Sequence, residues 1–148
     1  MDTVARFFEY AMAFEQALAL DDWSLIEPYF TEDAVYEIFG GPPFAGRHEG
    51  RSGVIAFLRE SVRGFDRRFT ERKIEMRGEP TIHDGAVHVP WRGVYRAPGV
   101  PDMILDGEEL AWFSGDRICR LEDRYDPAEL RKAMEYFEHH ESRLLPPG

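Results

Sequence analysis

A single cysteine, Cys119, stands in 148 residues. It excludes an internal disulfide, and with no C-x-x-C or other metal-ligand spacing in the chain, packing has to hold the fold without a metal or other cofactor. No apolar run approaches the ~18 residues of a membrane span, and no basic-then-apolar leader opens the chain, so the expected compartment is cytoplasmic, with no membrane partner. Basic residues are also scarce. The 18 Lys+Arg against 28 Asp+Glu give a formal charge of −10, which sets nucleic acid aside as a partner because phosphate would be repelled. One local basic cluster, Arg67, Arg68, Arg72, Lys73 and Arg77, is interrupted by acids and reads as a solvated strand face. Internal repeats are missing, and Pro/Gly-rich stretches are confined to residues 40–43, 98–101 and 146–148, the last read as a disordered tail. What remains is one α+β domain, 43% hydrophobic, long enough to enclose a core and a cavity.

Periodicity supplies the elements. Thr3 is expected to cap a helix running to about Leu20, with Phe7, Ala11, Phe14 and Leu18 along one face. A short helix follows Asp22 through Trp23, Ile26 and Phe30, closed by Thr31-Glu32-Asp33. Then Ala34 to Phe39 alternates as a strand that puts Tyr36 and Ile38 on one face. A third helix runs from Gly50-Arg51-Ser52 to about Val62. Strands over residues 70–83 and 86–97 flank Asp84-Gly85, a dipeptide suited to a type I′ turn. Pairing outward from it sends Ile74, Met76 and Ile82 to the face of Val87, Val89, Trp91 and Tyr95, and leaves His88 on the polar face. Asp126-Pro127-Ala128-Glu129 starts a last helix to about Ser142, carrying the stripe Leu130, Met134 and Phe137. His139 and His140 diverge on it, which argues against metal ligation.

The chemistry concentrates in DGEELAWFSGDRICRLEDRYD, residues 106–126. This reads as a hairpin turning at Ser114-Gly115-Asp116-Arg117, with Leu121, Asp123 and Tyr125 facing inward and Arg120, Glu122 and Arg124 outward. A regular ladder from a two-residue turn pairs Glu108 with Asp123. The apolar spacing from Ile118 to Leu121 is three rather than two, however, and one extra residue near Cys119-Arg120 would bring Glu109 opposite Asp123 instead. Glu109 is the favoured partner, with Glu108 as the alternative. Two carboxyls in a poorly hydrated pocket cannot both ionise freely, so one holds a proton while the other serves as base. His48, before the third helix, is a further candidate for proton transfer or substrate binding near the pocket mouth. Tyr36 can donate a hydrogen bond inside. Trp91, Tyr95 and Tyr125 are cavity wall first and ligand contacts second.

The order helix, helix, strand, helix, long antiparallel sheet, with the phrases LALDDWSLIEPYFTEDAVYE and GDRICRLEDRYDP, resembles the SnoaL-like branch of the nuclear-transport-factor-2-like superfamily over about residues 3 to 130. The resemblance implies a curved sheet wrapped around the long first helix, a cone whose open end holds a small, mostly apolar cyclic molecule. It includes ketosteroid isomerase, limonene epoxide hydrolase and polyketide cyclases, and also proteins without catalysis. Carried over residue by residue, it places the isomerase's base at Ile38 and its oxyanion-binding tyrosine at Phe14. Neither can do that work, so both become expected substrate contacts. The isomerase's protonated acid falls near Glu109, and the epoxide hydrolase's last-strand aspartate at Asp123, but that enzyme's middle-strand pair falls near Trp91 and Gly93.

Three functions follow as expectations. One is a cofactor-independent cyclase, isomerase or dehydratase with Asp123 as base and Glu109 as acid. Another is a non-catalytic pocket for a hydrophobic molecule. The third is an interaction domain, a homodimer through the convex sheet face, where the bulged register projects Leu110 and Trp112.

Overall fold

A computed structural model describes residues 2–148. Helix α1 spans Thr3–Leu20, and its cap is Asp2 rather than Thr3, with Oδ1 accepting from the Ala5 N–H at 3.1 Å. A 3₁₀ turn, Trp23–Tyr29, starts under Asp22. Strand β1, Phe30–Phe39, follows at once, so Thr31-Glu32-Asp33 opens the strand instead of closing a helix. After it come β2 (Gly46–Glu49), α2 (Arg51–Gly64), β3 (Glu71–Met76), β4 (Thr81–His83), β5 (Ala86–Arg96), β6 (Met103–Ser114), β7 (Arg117–Arg124) and α3 (Pro127–His140).

The strands form one sheet in the order β2-β1-β7-β6-β5-β3, with β4 also on β5. Only the β1–β7 pairing is parallel among those described. The strand expected over residues 70–83 is two strands. Ile82 pairs with Val87 as the Asp84-Gly85 turn requires, but Ile74 pairs with Gly93, two residues short of the Tyr95 that an unbroken ladder would give. A slip of two preserves which side chains face inward, whereas a slip of one would have turned β3 over. Asp84 and Gly85 take the positive φ, 50° and 79°, that a type I′ turn demands.

Helices α1 and α2 lie on the concave face. Phe7, Ala17, Ile26, Val54, Val87 and Leu121 belong to the cluster they bury there, each large side chain contributing about 1.5–3 kcal/mol. A second cluster, with Tyr95, Met103, Leu105 and Leu130, closes under α3. Asp126 caps α3 and Pro127 is its first residue. Glu129 does not close a capping box; its carboxylate accepts from the Asp106 N–H and so ties the helix to β6.

Three surface expectations change. Leu110 does project from the convex face, but it is only 1% exposed, and the Trp112 indole N–H is taken up by the Asp84 carbonyl at 3.0 Å. The exposed apolar patch expected for a dimer is therefore not formed by these two residues. That face is charged instead, with Glu122 buried between Arg120 at 2.6 Å and Arg124 at 2.7 Å. The basic cluster is not one solvated face either: Arg72 turns inward to Asp66, and Arg67 and Arg68 donate to the carbonyls of Leu18 and Leu145. The tail is tied down, the Gly148 N–H reaching the Arg63 carbonyl at 3.2 Å. No helix among the described residues is long and apolar enough to cross a membrane.

Candidate active site

Between the sheet and helices α1, α2 and α3 lies a cavity of about 1040 Å³, the upper end of the range for small-molecule sites. Its position follows from the hairpin. Phe113 pairs with Ile118 but Trp112 pairs with Arg120, so Cys119 is the extra residue, and from there the register sets Glu109 directly opposite Asp123. Both carboxyls line the cavity. Glu108, one residue away, falls opposite Arg124 and bonds His88 at 3.2 Å on the other face.

Environment sets the order of the pair. Asp123 is 6% exposed, and burial raises its pKa, an effect opposed by the neighbouring Glu109, Tyr36 and Trp91 side chains. Glu109 is pushed well above its ordinary value by burial and then by the neighbouring Asp123 charge. Both carboxyls are shifted toward the protonated form, Glu109 further than Asp123, an ordering that would suit acid and base to adjacent positions on one guest.

The Tyr36 hydroxyl donates to Oδ2 of Asp123. Oδ1 of Asp123 is buried with no hydrogen-bond partner, and so is the indole nitrogen of Trp91. A buried carboxylate oxygen without a donor is costly, and a guest in the cavity would relieve it. Trp91 and Tyr125 meet edge to face at 5.9 Å. They fit because residue 107, directly across from Trp91, is glycine: a Cβ there would lie 2.8 Å from the Trp91 ring and 2.9 Å from the Tyr125 ring.

Of the other residues expected at the site, Tyr36, Ile38, Tyr95, Tyr125 and Phe14 line the cavity with Trp91. Ile38 is the β1 neighbour of Asp123 in register, so the acid stands one strand away from the place the family resemblance gives a base. His48 is a correction. It lies in edge strand β2, paired with Tyr36, with its ring stacked on Phe57 at 3.7 Å, and it is not part of the cavity wall. Burial against Phe57 lowers its pKa and keeps it neutral.

Two cavity residues, Tyr10 and Arg72, were not apparent from the sequence. Tyr10 is 3% exposed, and burial, with the nearby acids, keeps its phenol pKa well above the ordinary value. Its signal was available, since Tyr10 shares the face of Phe7 and Phe14 at helical spacing. Arg72 has the inward parity of Ile74 and Met76, and it binds Asp66 at 2.5 Å and Glu15 at 2.6 Å in the cavity wall, where the half-exposed Glu15 marks the outer end. Among the described residues, no group of three or more His, Cys, Asp or Glu could hold a metal ion.

By sequence the chain matches no protein-family model and no curated protein. Its structure is similar to solved ones. An NTF2-like protein from Anabaena variabilis is 20% identical with a TM-score of 0.66, over 83% of this chain and 88% of that one. A protein from Shewanella denitrificans assigned as a SnoaL-like polyketide cyclase is 16% identical with a TM-score of 0.60, over 86% and 95%. An LEH-like epoxide hydrolase from M. tuberculosis is 14% identical with a TM-score of 0.62, over 94% and 97%. Likeness at these identities is a statement about backbone, and it makes this chain an α+β cone of the nuclear-transport-factor-2-like fold.

Proposed function

We propose that the protein is an acid/base enzyme of the cyclase, isomerase or dehydratase type, acting on a small hydrophobic cyclic molecule. Asp123 is the base and removes a proton from carbon. Glu109 is the acid and donates to the oxygen on which the resulting charge collects, with Tyr36 orienting Asp123. Low dielectric in the apolar cavity strengthens both interactions. Similarity in fold to a cyclase and an epoxide hydrolase is consistent with this reading. The observation that carries it is the juxtaposition of Glu109 and Asp123, two buried carboxyls set opposite each other in the wall of a cavity large enough for a guest.

A non-catalytic binding pocket is the second reading. An Asp123 satisfied wholly by protein groups would favour it, but Oδ1 has no partner. The test needs no natural substrate: 2-tetralone and related cyclic ketones are incubated with protein in D₂O, and exchange of the protons beside the carbonyl is followed by NMR. Exchange above the buffer rate, abolished by Asp123→Asn and reduced about 10²-fold or more by Glu109→Gln, is expected. Exchange at the buffer rate, or unchanged in Asp123→Asn, would contradict it.

A further inference from the structure

The lining of the cavity is one-sided in charge. Besides the inner pair, six carboxyl residues reach it: Glu15, Glu60, Asp66, Glu75, Glu138 and Glu141. Two arginines do, and no lysine side chain does among the described residues. Neither arginine is free. Arg72 is held by Asp66 at 2.5 Å and by both oxygens of Glu15 at 2.6 and 2.9 Å. Arg68 donates to the carbonyls of Leu145 and Glu141 at 2.9 and 3.2 Å, and lies 3.7 Å from the Glu141 carboxylate. Arg59, Arg63 and Lys73 meet Glu60 and Glu75 from outside and are not part of the wall.

An anionic guest would therefore enter a low-dielectric space with no cation left to pair it, at a cost of several kcal/mol. A cationic guest finds the reverse. Field lines from like charges around a cleft are focused into it and raise the local concentration of cations. Inside, Tyr10, Tyr95 and Tyr125 are part of the wall, and aromatic rings attract cations as well as apolar rings, while the partnerless Oδ1 of Asp123 calls for a donor on the guest.

We propose that the ligand is a hydrophobic amine, held as its ammonium ion near Glu15 and Asp66 at the outer end while its ring system extends inward to Asp123 and Glu109. The inference deepens the catalytic reading by naming a substrate class for the same cavity. With the ammonium at the outer end, Asp123 keeps its basicity. Arg72 contributes only by ordering the two carboxylates, since its own charge is outnumbered by theirs.

The test compares three probes of one skeleton, tryptamine, tryptophol and indole-3-propionate, by calorimetric titration of the whole protein at neutral pH. Tryptamine is expected to bind about tenfold or more tightly than indole-3-propionate, with tryptophol between them. The preference should shrink several-fold between about 0.05 and 0.5 M salt. Glu15→Gln, at a half-exposed position that the fold tolerates, removes one of the carboxylates on Arg72, so it should weaken tryptamine and strengthen the propionate. Equal or tighter binding of the propionate, no binding of tryptamine, or a ratio unmoved by Glu15→Gln would overturn the proposal. Proton exchange by a protein that prefers the propionate would sink the amine and spare the catalysis. Amine preference without proton exchange would do the opposite.

Discussion

Glu109 of β6 stands directly opposite Asp123 of β7, and the residue that brings them together is Cys119, which lies outside the cavity wall. The extra residue in β7 moves Asp123 from the neighbour of Glu108 to the neighbour of Glu109. One backbone irregularity therefore decides which glutamate faces Asp123.

Stability should report the buried proton. Burial and the Asp123 charge raise the pKa of Glu109 in the folded protein, so its stabilising contribution is complete below the unfolded value and is lost as pH rises through the folded one. Asp123 and Asp66, also raised, act in the same direction. Melting temperature is expected to decline from weakly acidic to alkaline pH. Glu109→Gln should flatten that decline and melt above the wild type at alkaline pH, with little difference at about pH 4, as differential scanning fluorimetry across a pH series would show.

Tyr36 sets the base. Its hydroxyl favours the ionised form of Asp123, so Tyr36→Phe removes a donor and raises the Asp123 pKa further. The acid limb of the pH–rate profile moves to higher pH, and proton exchange at neutral pH falls about tenfold or more. A profile unchanged in shape would remove Tyr36 from the mechanism.

The outline of the site could be read from the sequence because three local signals agreed: the Asp84-Gly85 turn, the alternation of β5, and the three-residue spacing of Ile118 and Leu121 that betrayed the bulge. Periodicity likewise sufficed for the three α-helices, although α1 is capped by Asp2 and not Thr3. What escaped was non-local. His48 looked like a loop residue because four residues of edge strand are too short to show alternation. Tyr10 was hidden by choosing Ala11 as the buried member of its turn. The Arg72 pairing with Asp66 and Glu15 joins three segments far apart in the chain, and no single window contains it.

Gly107 is a direct probe of the cavity wall. Gly107→Ala forces a methyl group into the Trp91 and Tyr125 rings at under 3 Å, so it is expected to cost about 1–3 kcal/mol and to weaken binding of any guest. Chemical denaturation and the tryptamine titration measure the two effects separately.

At the outer end, Arg72→Met would strand Asp66 without its partner in a mostly buried position. The expected cost is about 3–5 kcal/mol. Arg72→Met with Asp66→Leu should recover most of that, because the ion pair itself contributes little once both charges are gone. If the double variant were as unstable as the single one, Arg72 would be stabilising by its packing and not by its charge.

The proposed chemistry needs a proton on Glu109 at neutral pH beside an ionised Asp123. Carbon-13 NMR of the glutamate and aspartate carboxyls, titrated from about pH 3 to 9 and assigned with Glu109→Gln and Asp123→Asn, measures it most directly. The account predicts a Glu109 carboxyl still protonated at pH 7 that titrates earlier when Asp123 is replaced. A Glu109 signal titrating near about 4.3, where a free glutamate does, would contradict it.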